Sequence, residues 1–275
     1  MTGPTTLVVD TGGTSIKAGV FDDVDRPMAE PVRVPTTYPL GPDDLVATVV
    51  GIAETLPESD RVSVGFPGVV RDGRVLTAPA FVARAGLGST VSPDLLHAWT
   101  GFDLGGTLSQ KLGRPTRLAN DADLQGLAVV EGLGLELVVT LGAGFGTALL
   151  RDGELCPHME FAHDLFREGE TYNEQLGDAA RQRVGAEEWT GRVQLALDAL
   201  YRLLMFDRVW VLGGNAQLLT AGLSAGLTAG HGTEATVVDA AVGLLGGVRL
   251  WATPTPTISG GSGGSDGPRG VRFPA

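Results

Sequence analysis

The chain has 275 residues, of which 43% are hydrophobic and 19% are charged, and its formal net charge is −12. This composition predicts one large domain or two smaller ones with a buried core, and it excludes a chain that is disordered throughout. The acidity argues against sequence-independent nucleic-acid binding and against anionic membrane surfaces, because both need clustered cations. A single cysteine, Cys156, excludes an intrachain disulfide and a zinc site built from several thiolates.

The N-terminus has no basic stretch followed by an apolar segment and a cleavage site, and no apolar run is long enough to span a bilayer. We therefore expect a cytoplasmic protein without a membrane or nucleic-acid partner.

A strand, a glycine turn and a returning strand open the chain. Residues 7–9 are an apolar run that ends at Asp10, and residues 16–21 predict the returning strand. The pattern recurs later, since residues 7–23 are LVVDTGGTSIKAGVFDD and residues 137–153 are LVVTLGAGFGTALLRDG. Two such hairpins predict two similar halves that face one another.

The remaining elements follow from hydrophobic periodicity and breaker residues. The predicted strands cover residues 61–70 (broken at Pro67 and Gly68), 116–119 and 209–212, and the predicted helices cover 43–56, 107–113, 121–131, 186–206 and 235–251. We expect an N-terminal α/β domain over 1–119 and a C-terminal α/β domain over 120–251. Residues 252–275 are mostly Pro, Gly, Ser and Thr and predict a disordered tail.

Three glycine-rich turns each follow an apolar strand, which predicts a polyphosphate or nucleotide cleft. Glycine lets the backbone approach an anion closely, and successive N–H groups can cradle phosphates. None of the turns matches the P-loop or the dinucleotide-binding fingerprint. The residues concerned are Gly12, Gly13 and Thr14, then Gly142, Gly144, Gly146 and Thr147, then Gly213 and Gly214.

Asp10 lies at the mouth of the first turn, where a bare carboxylate would repel a phosphate. A Mg²⁺ ion bound there, through water, is the functional interpretation. A capped turn is the structural alternative.

Residues 103–107 repeat the Asp-x-Gly-Gly-Thr letters of the first turn, but no apolar strand precedes them. We predict a loop that leads into a helix there, without phosphate binding.

Two polar clusters could hold an alcohol substrate. Asp121 follows a predicted strand and opens a predicted helix, so its carboxylate could take a proton from a hydroxyl, and Asn120 could bond two hydroxyls. Helix capping explains the same pair equally well. Glu160 and His163 are three residues apart and could face one pocket, although spacing alone favours a structural role.

The order of these motifs resembles the ROK family of bacterial sugar kinases and repressors, and within it the polyphosphate/ATP glucokinases. The matching segments are VVDTGGTSIKAGVF, VGFPGVVRDGRVLTAP, NDADLQGLAVVEG, TLGAGFGTALLRDGEL, EFAH and VWVLGGN, over roughly residues 5–251. The resemblance implies an actin-like (ribonuclease H-like) ATPase fold with two similar α/β domains and an interdomain cleft. It also implies a homodimer.

The resemblance also implies roles for particular residues. Asp121 falls on the catalytic base, and the sugar-binding positions fall on Asn120, Glu160, His163 and, less closely, Glu174. The phosphate and nucleotide positions fall on Asp10, Gly12, Gly13, Thr14, Lys17, Gly142, Gly144, Gly146, Thr147, Gly213 and Gly214.

The implied activity is transfer of a phosphoryl group from ATP or polyphosphate to a hexose hydroxyl, with Mg²⁺ near Asp10. Many ROK proteins carry a cysteine-rich zinc loop in this region, but this chain has FREGETYNEQLG there, so no structural zinc is expected. Which donor is used stays open, and the cations that could form a polyphosphate track are Lys17, Lys111, Arg114, Arg117 and Arg151. The alternative is a catalytically weak or inactive sugar-binding or regulatory protein.

Overall fold

The computed structural model describes residues 3–219, 228–229 and 233–252. Its strands are β1 (Thr6–Thr11), β2 (Ser15–Phe21), β3 (Val32–Pro35), β4 (Arg61–Phe66), β5 (Val70–Arg71), β6 (Arg74–Val75), β7 (Thr116–Asn120), β8 (Leu135–Leu141), β9 (Phe145–Arg151), β10 (Glu154–Leu155), β11 (Leu165–Arg167), β12 (Glu170–Thr171), β13 (Arg208–Leu212), β14 (Thr228–Ala229) and β15 (Thr233–Val237). Its α-helices are α1 (Pro42–Thr55), α2 (Pro93–Trp99), α3 (Leu104–Leu112), α4 (Asp121–Leu127), α5 (Tyr172–Leu176), α6 (Asp178–Val184), α7 (Ala186–Leu204) and α8 (Gly246–Arg249).

The fold is built on two mixed sheets, and each contains one of the predicted hairpins. The first sheet has the order β3-β2-β1-β4-β7, and the second has the order β10-β9-β8-β13-β15-β14. In both, the hairpin is antiparallel, and the strands that follow, β4 and β7 or β13 and β15, are parallel to its first strand. The prediction of two similar α/β halves is therefore confirmed.

A shared core joins the two sheets, and helix α4 lies in it. Ala122, Leu124 and Leu127 of this helix are buried together with Val8 from the first sheet and Val138 from the second. Full burial of a leucine such as Leu124, which is 0% exposed, stabilises a fold by about 1.5–3 kcal/mol. Helix α4 is thus fixed to both halves of the protein.

The C-terminal end of the described chain returns to the first sheet. The Ser63 hydroxyl on β4 donates to the Gly247 carbonyl at 2.6 Å, and the Trp251 indole N–H donates to the same hydroxyl at 2.8 Å. The guanidinium groups of Arg61 and Arg117 lie 5.1 and 4.5 Å from the Trp251 ring centroid. The domain boundary after residue 119 stays a prediction, and residues 253–275 of the predicted tail lie outside the described residues.

Most predicted elements are present within a few residues of their predicted ends, but the predicted helix over 235–251 is wrong. Residues 233–237 form strand β15, which pairs in parallel with β13, because Thr-Glu-Ala-Thr-Val is rich in β-branched residues. A 3-10 turn (Ala240–Leu245) and the short helix α8 then complete the segment.

Helix α3 begins at Leu104, so the Asp-x-Gly-Gly-Thr letters of residues 103–107 form its cap and first turn rather than the predicted loop before a helix. The Asp103 carboxylate caps that helix by accepting from the Gly106 N–H at 3.0 Å.

Gly246 tests the contact between helices α8 and α4. A Cβ atom at this position would lie 1.7 Å from the Leu124 carbonyl oxygen, a backbone atom that cannot move aside cheaply. We expect Gly246→Ala to lower the free energy of unfolding by about 2 kcal/mol or more. The matched control is Gly51→Ala in α1, where a Cβ meets nothing within 4 Å and should add about 0.5–1 kcal/mol. Chemical denaturation measures both, and an unchanged Gly246→Ala midpoint would contradict the packing.

Candidate active site

A cleft of about 900 Å³ opens between the two sheets, and both halves of the chain line it. It brings together nearly all of the predicted site residues, which lie far apart in the sequence. Those that line it are Asp10, Gly12, Gly13, Thr14, Lys17, Asn120, Asp121, Gly142, Gly144, Gly146, Thr147, Glu160, His163, Gly213 and Gly214.

The first glycine turn is held by side chains that the sequence analysis did not identify. The Thr36 hydroxyl donates to the Gly12 carbonyl and the Tyr38 hydroxyl donates to the Gly13 carbonyl, both at 2.7 Å. Both side chains follow edge strand β3, which pairs with β2 of the hairpin. These bonds hold the turn in one conformation at the cleft wall.

Asp10 is 7% exposed at the end of β1 and lies opposite Lys17 in the hairpin register. Burial raises the pKa of the Asp10 carboxyl to about 6, and the charge of Lys17 opposes this rise. Oδ2 accepts from the Gln125 amide at 3.4 Å, while the buried Oδ1 has no hydrogen-bond partner. An unpartnered buried carboxylate oxygen beside a phosphate-type turn fits a cation or a water bound to one.

Polar side chains pack closely against two glycines of the second turn. A Cβ at Gly144 would lie 2.6 Å from Oδ1 of Asn173, and a Cβ at Gly146 would lie 2.4 Å from Oγ1 of Thr140. Oδ1 of Asn173 also accepts from the Phe145 N–H at 2.7 Å. Asn173 is not among the predicted site residues, because a lone asparagine at the start of a helix carries no recognisable signal.

The third turn packs against the second. Gly213 has a φ of +98°, and a Cβ there would lie 2.3 Å from the Leu141 carbonyl oxygen, so glycine is required. The Asn215 amide donates to the Gly142 carbonyl and to the Asp178 carboxylate, both at 3.1 Å. The glycine turns of β8–β9 and β13 therefore form one continuous wall.

Asp121 is the first residue of helix α4 and follows β7 directly. A Cβ on Gly65 of β4 would lie 3.3 Å from the Asp121 Cα and 3.6 Å from Oδ1 of Asp10, so the two aspartates flank this glycine. Burial, and then the negative charge of Asp10, raise the pKa of the Asp121 carboxyl to about 8. A carboxyl with a raised pKa at a cleft floor is suited to proton transfer.

Asn120 lies in the cleft wall but is 5% exposed, and its amide is already engaged. Oδ1 caps helix α4 by accepting from the N–H groups of Ala122 (2.7 Å) and Asp123 (3.3 Å), and Nδ2 donates to the Gly68 carbonyl at 3.2 Å. Asn120 therefore caps helix α4, which was the alternative to sugar binding, and its contact with a sugar stays a prediction.

Three residues that were predicted to bind the sugar lie after β10. Glu160 is partly buried beside the cleft and precedes the 3-10 turn Phe161–His163, which places the exposed His163 at the cleft wall. Glu174 does not line the cleft. Its carboxylate accepts from the Thr171 N–H and hydroxyl at 2.8 and 2.9 Å, which is a capping box at the start of α5.

The predicted basic track is mostly absent from the cleft. Of its five members only Lys17 lines the cavity, whereas Arg117, for example, packs on Trp251. Arg33 and Arg181, which were not among the predicted cations, also line the wall. Cations scattered along the chain give no signal of where they meet in space.

The described residues contain no group of three or more His, Cys, Asp or Glu side chains able to hold a metal ion. Within the same residues, no helix has the length and apolarity that crossing a bilayer requires.

A model of the ROK family matches residues 6–160, more than half of the chain. The chain belongs to the ROK family. The polyphosphate glucokinase of Mycobacterium leprae is 26% identical over 219 residues, which cover 75% of this chain and 62% of that relative. The polyphosphate glucokinase of Mycobacterium tuberculosis (strain CDC 1551 / Oshkosh) is 28% identical over 217 residues, covering 75% of this chain and 76% of that protein.

Among solved structures, the inorganic polyphosphate/ATP-glucomannokinase of Arthrobacter sp. strain KM superposes with a TM-score of 0.75. It is 26% identical, and the alignment covers 91% of this chain and 99% of that one. The prediction of an actin-like fold with two α/β halves and a cleft between them is thus confirmed.

The raised pKa of Asp121 predicts a pH-dependent cost in stability. The ordinary carboxyl value is 3.8 and the folded value is about 8, so the folded protein loses stability as the pH rises through this window. Asp121→Asn cannot ionise, and we expect it to be more stable than the parent by about 1–2 kcal/mol at about pH 8.5, with the difference vanishing near pH 4. Urea unfolding across pH measures this.

The matched control is Asp72→Asn in the exposed turn between β5 and β6. Asn tolerates its φ of +50°, so this variant reports the effect of the same substitution at an exposed site. An Asp121→Asn stability difference that varies with pH no more than that of the control would contradict the assigned environment of Asp121.

Proposed function

We propose that this ROK protein is a sugar kinase that transfers a phosphoryl group from ATP or polyphosphate to a hydroxyl of a hexose, with O6 of glucose as the first candidate. The observation that carries the proposal is the position of Asp121, at a cleft floor beside Asp10 and between two glycine-lined turns. The names of the Mycobacterium and Arthrobacter relatives support the same activity.

In the proposed reaction the hexose lies against Glu160 and His163, with Asn120 holding helix α4 at its N-terminus. The Asp121 carboxylate accepts the proton of the attacking hydroxyl as that oxygen bonds to the terminal phosphorus of the donor. The bond from phosphorus to the bridging oxygen breaks, and the donor leaves shortened by one phosphoryl group. The backbone N–H groups of the two turns bind the donor phosphates.

Mg²⁺ would be held through water by Asp10, and it would offset the negative charge of the donor phosphates. The unpartnered Oδ1 of Asp10 fits this role. Lys17 and Arg33, together with Arg181 in its ion pair with Asp178, are the cleft cations that a longer polyphosphate would contact. The division into domains at residue 119, the homodimer and the cytoplasmic location remain predictions.

A panel of hexoses assayed with ATP and with polyphosphate tests the activity. We expect sugar phosphate to form with at least one donor in the presence of Mg²⁺, and glucose to be among the acceptors. Hexose binding without any turnover would favour the alternative of an inactive sugar-binding protein. Neither binding nor turnover across the panel would overturn the proposal.

Replacing the proposed base tests the mechanism. We expect Asp121→Asn to lower kcat by about 10²–10⁴-fold while the hexose Kd changes little, because the amide keeps the size of the side chain but cannot take a proton. Single-turnover rates and calorimetric binding separate the two effects. A kcat close to that of the parent protein would show that another group is the base.

A further inference from the structure

His158 lines the cleft beside Glu160 and forms a bridge at the edge of the proposed acceptor site. It lies in the loop between β10 and the 3-10 turn, and its side chain is 8% exposed. Nδ1 is 3.1 Å from Oδ2 of Asp123 on helix α4, and Nε2 is 3.6 Å from Oε2 of Glu160. The ring therefore connects the helix that carries the proposed base with the loop that carries a proposed sugar-binding carboxylate.

The contacts of His158 with the two carboxylates are electrostatic. Neither ring nitrogen has the geometry of a regular hydrogen bond, and Oδ1 of Asp123 is also buried without a partner. Burial lowers the pKa of His158, but the contacts with and charges of Asp123 and Glu160 more than offset this and raise it to about 10. At neutral pH the ring is a buried cation between two carboxylates.

Glu160 depends on this bridge for its orientation. Over the described parts of the chain, His158 is the cation with which the Glu160 carboxylate pairs. The backbone around them is anchored separately, since the Cys156 N–H donates to the Leu149 carbonyl at 2.9 Å and the Thr147 hydroxyl donates to the Met159 carbonyl at 3.3 Å. Loss of the imidazolium should thus free the Glu160 side chain more than the loop.

The charges that act on His158 and Asp121 come from three parts of the chain. Asp121 and Asp123 belong to α4, and Glu160 belongs to the same loop as His158. Asp10 of the β1–β2 hairpin acts on Asp121, and Lys17 of the same hairpin acts on Asp10. The charge of His158 is one of the influences that favour ionised Asp121, opposing the effects of burial and of the neighbouring carboxylates. A neutral residue at position 158 should therefore make the proposed base harder to ionise.

We propose that His158 is a positioning residue, which directs the Glu160 carboxylate towards the acceptor sugar and supplies positive charge behind Asp121. This inference rests on the proposed kinase function. His158 takes no part in the transfer itself, because its two nitrogens face Asp123 and Glu160.

Kinetics of His158→Gln test the inference. We expect the hexose KM to rise by about tenfold or more, as for loss of a contact with a charged group, while the donor KM changes less than about twofold. The acidic limb of the pH profile of kcat/KM should move to higher pH, since protonated Asp121 is favoured. His97→Gln, an exposed histidine in α2, is the control and should match the parent protein.

Asp123→Asn probes the other side of the same bridge. Asp123 does not line the cleft, yet we expect its replacement to raise the hexose KM in the same direction. The double variant should be no worse than His158→Gln alone, because both changes break one connection. Additive effects, or an unchanged hexose KM and acidic limb in His158→Gln, would overturn the proposal.

Imidazole NMR of the parent protein tests the bridge without turnover. His158 should remain doubly protonated above about pH 8, and its signal is assigned by its absence in His158→Gln or, should that variant not fold, by substituting the other three histidines. A His158 signal that titrates near the ordinary value of 6.5 would refute the bridge. An inactive parent protein with a doubly protonated His158 would instead refute the kinase function and, with it, the positioning role.

Discussion

The burial of helix α4 between the two sheets is the constraint on which the site depends. Val8 from the first sheet and Val138 from the second share a core with Leu124, so the helix cannot shift relative to either half without exposing apolar surface. Its N-terminus follows β7 directly, and Asn120 caps it. Asp121 is thereby fixed at the cleft floor by packing rather than by a loop, which gives a proposed base the precision that proton transfer needs.

The same arrangement concentrates negative charge. Asp10, Asp121, Asp123 and Glu160 lie around one end of the cleft, and burial raises the pKa values of all three aspartates. Nearby positive groups partly offset this negative charge. Lys17 does so near Asp10, and His158 does so between Asp123 and Glu160. Asp121 combines a pKa raised to about 8 with a place in the cleft lining, which suits a residue that takes part in proton transfer.

Local sequence patterns predicted the parts of this protein that local forces determine. The two hairpins, most of helix α3 and the glycine turns follow from apolar patterns and breaker residues that act over a few positions. The helix predicted over 235–251 failed because a parallel partner, β13, recruits Thr233–Val237 into the sheet. That pairing is a tertiary effect, which the β-branched residues of Thr233–Val237 favour but which the helical periodicity over 235–251 does not reveal.

The residues of the candidate site likewise fall into those that the sequence locates and those that only the fold brings together. Asp10, Asp121 and the glycines stand at strand ends, where sequence order and the family resemblance locate them. Glu174 was assigned from resemblance alone, and the structure instead uses it in a capping box. The His158 bridge had only a weak sequence signal, the His-x-Glu spacing that places two side chains on one side of an extended loop. Its partner Asp123 is 35 residues away, so only the fold could join them.

A crystal structure of the protein with a hexose and a non-hydrolysable ATP analogue would test the central claim most directly. The account predicts that one sugar hydroxyl lies within about 2.6–3.2 Å of the Asp121 carboxylate and points at the terminal phosphate, which rests on the two glycine turns. A hexose bound with its hydroxyls away from Asp121, or a donor bound outside the cleft between the sheets, would contradict it.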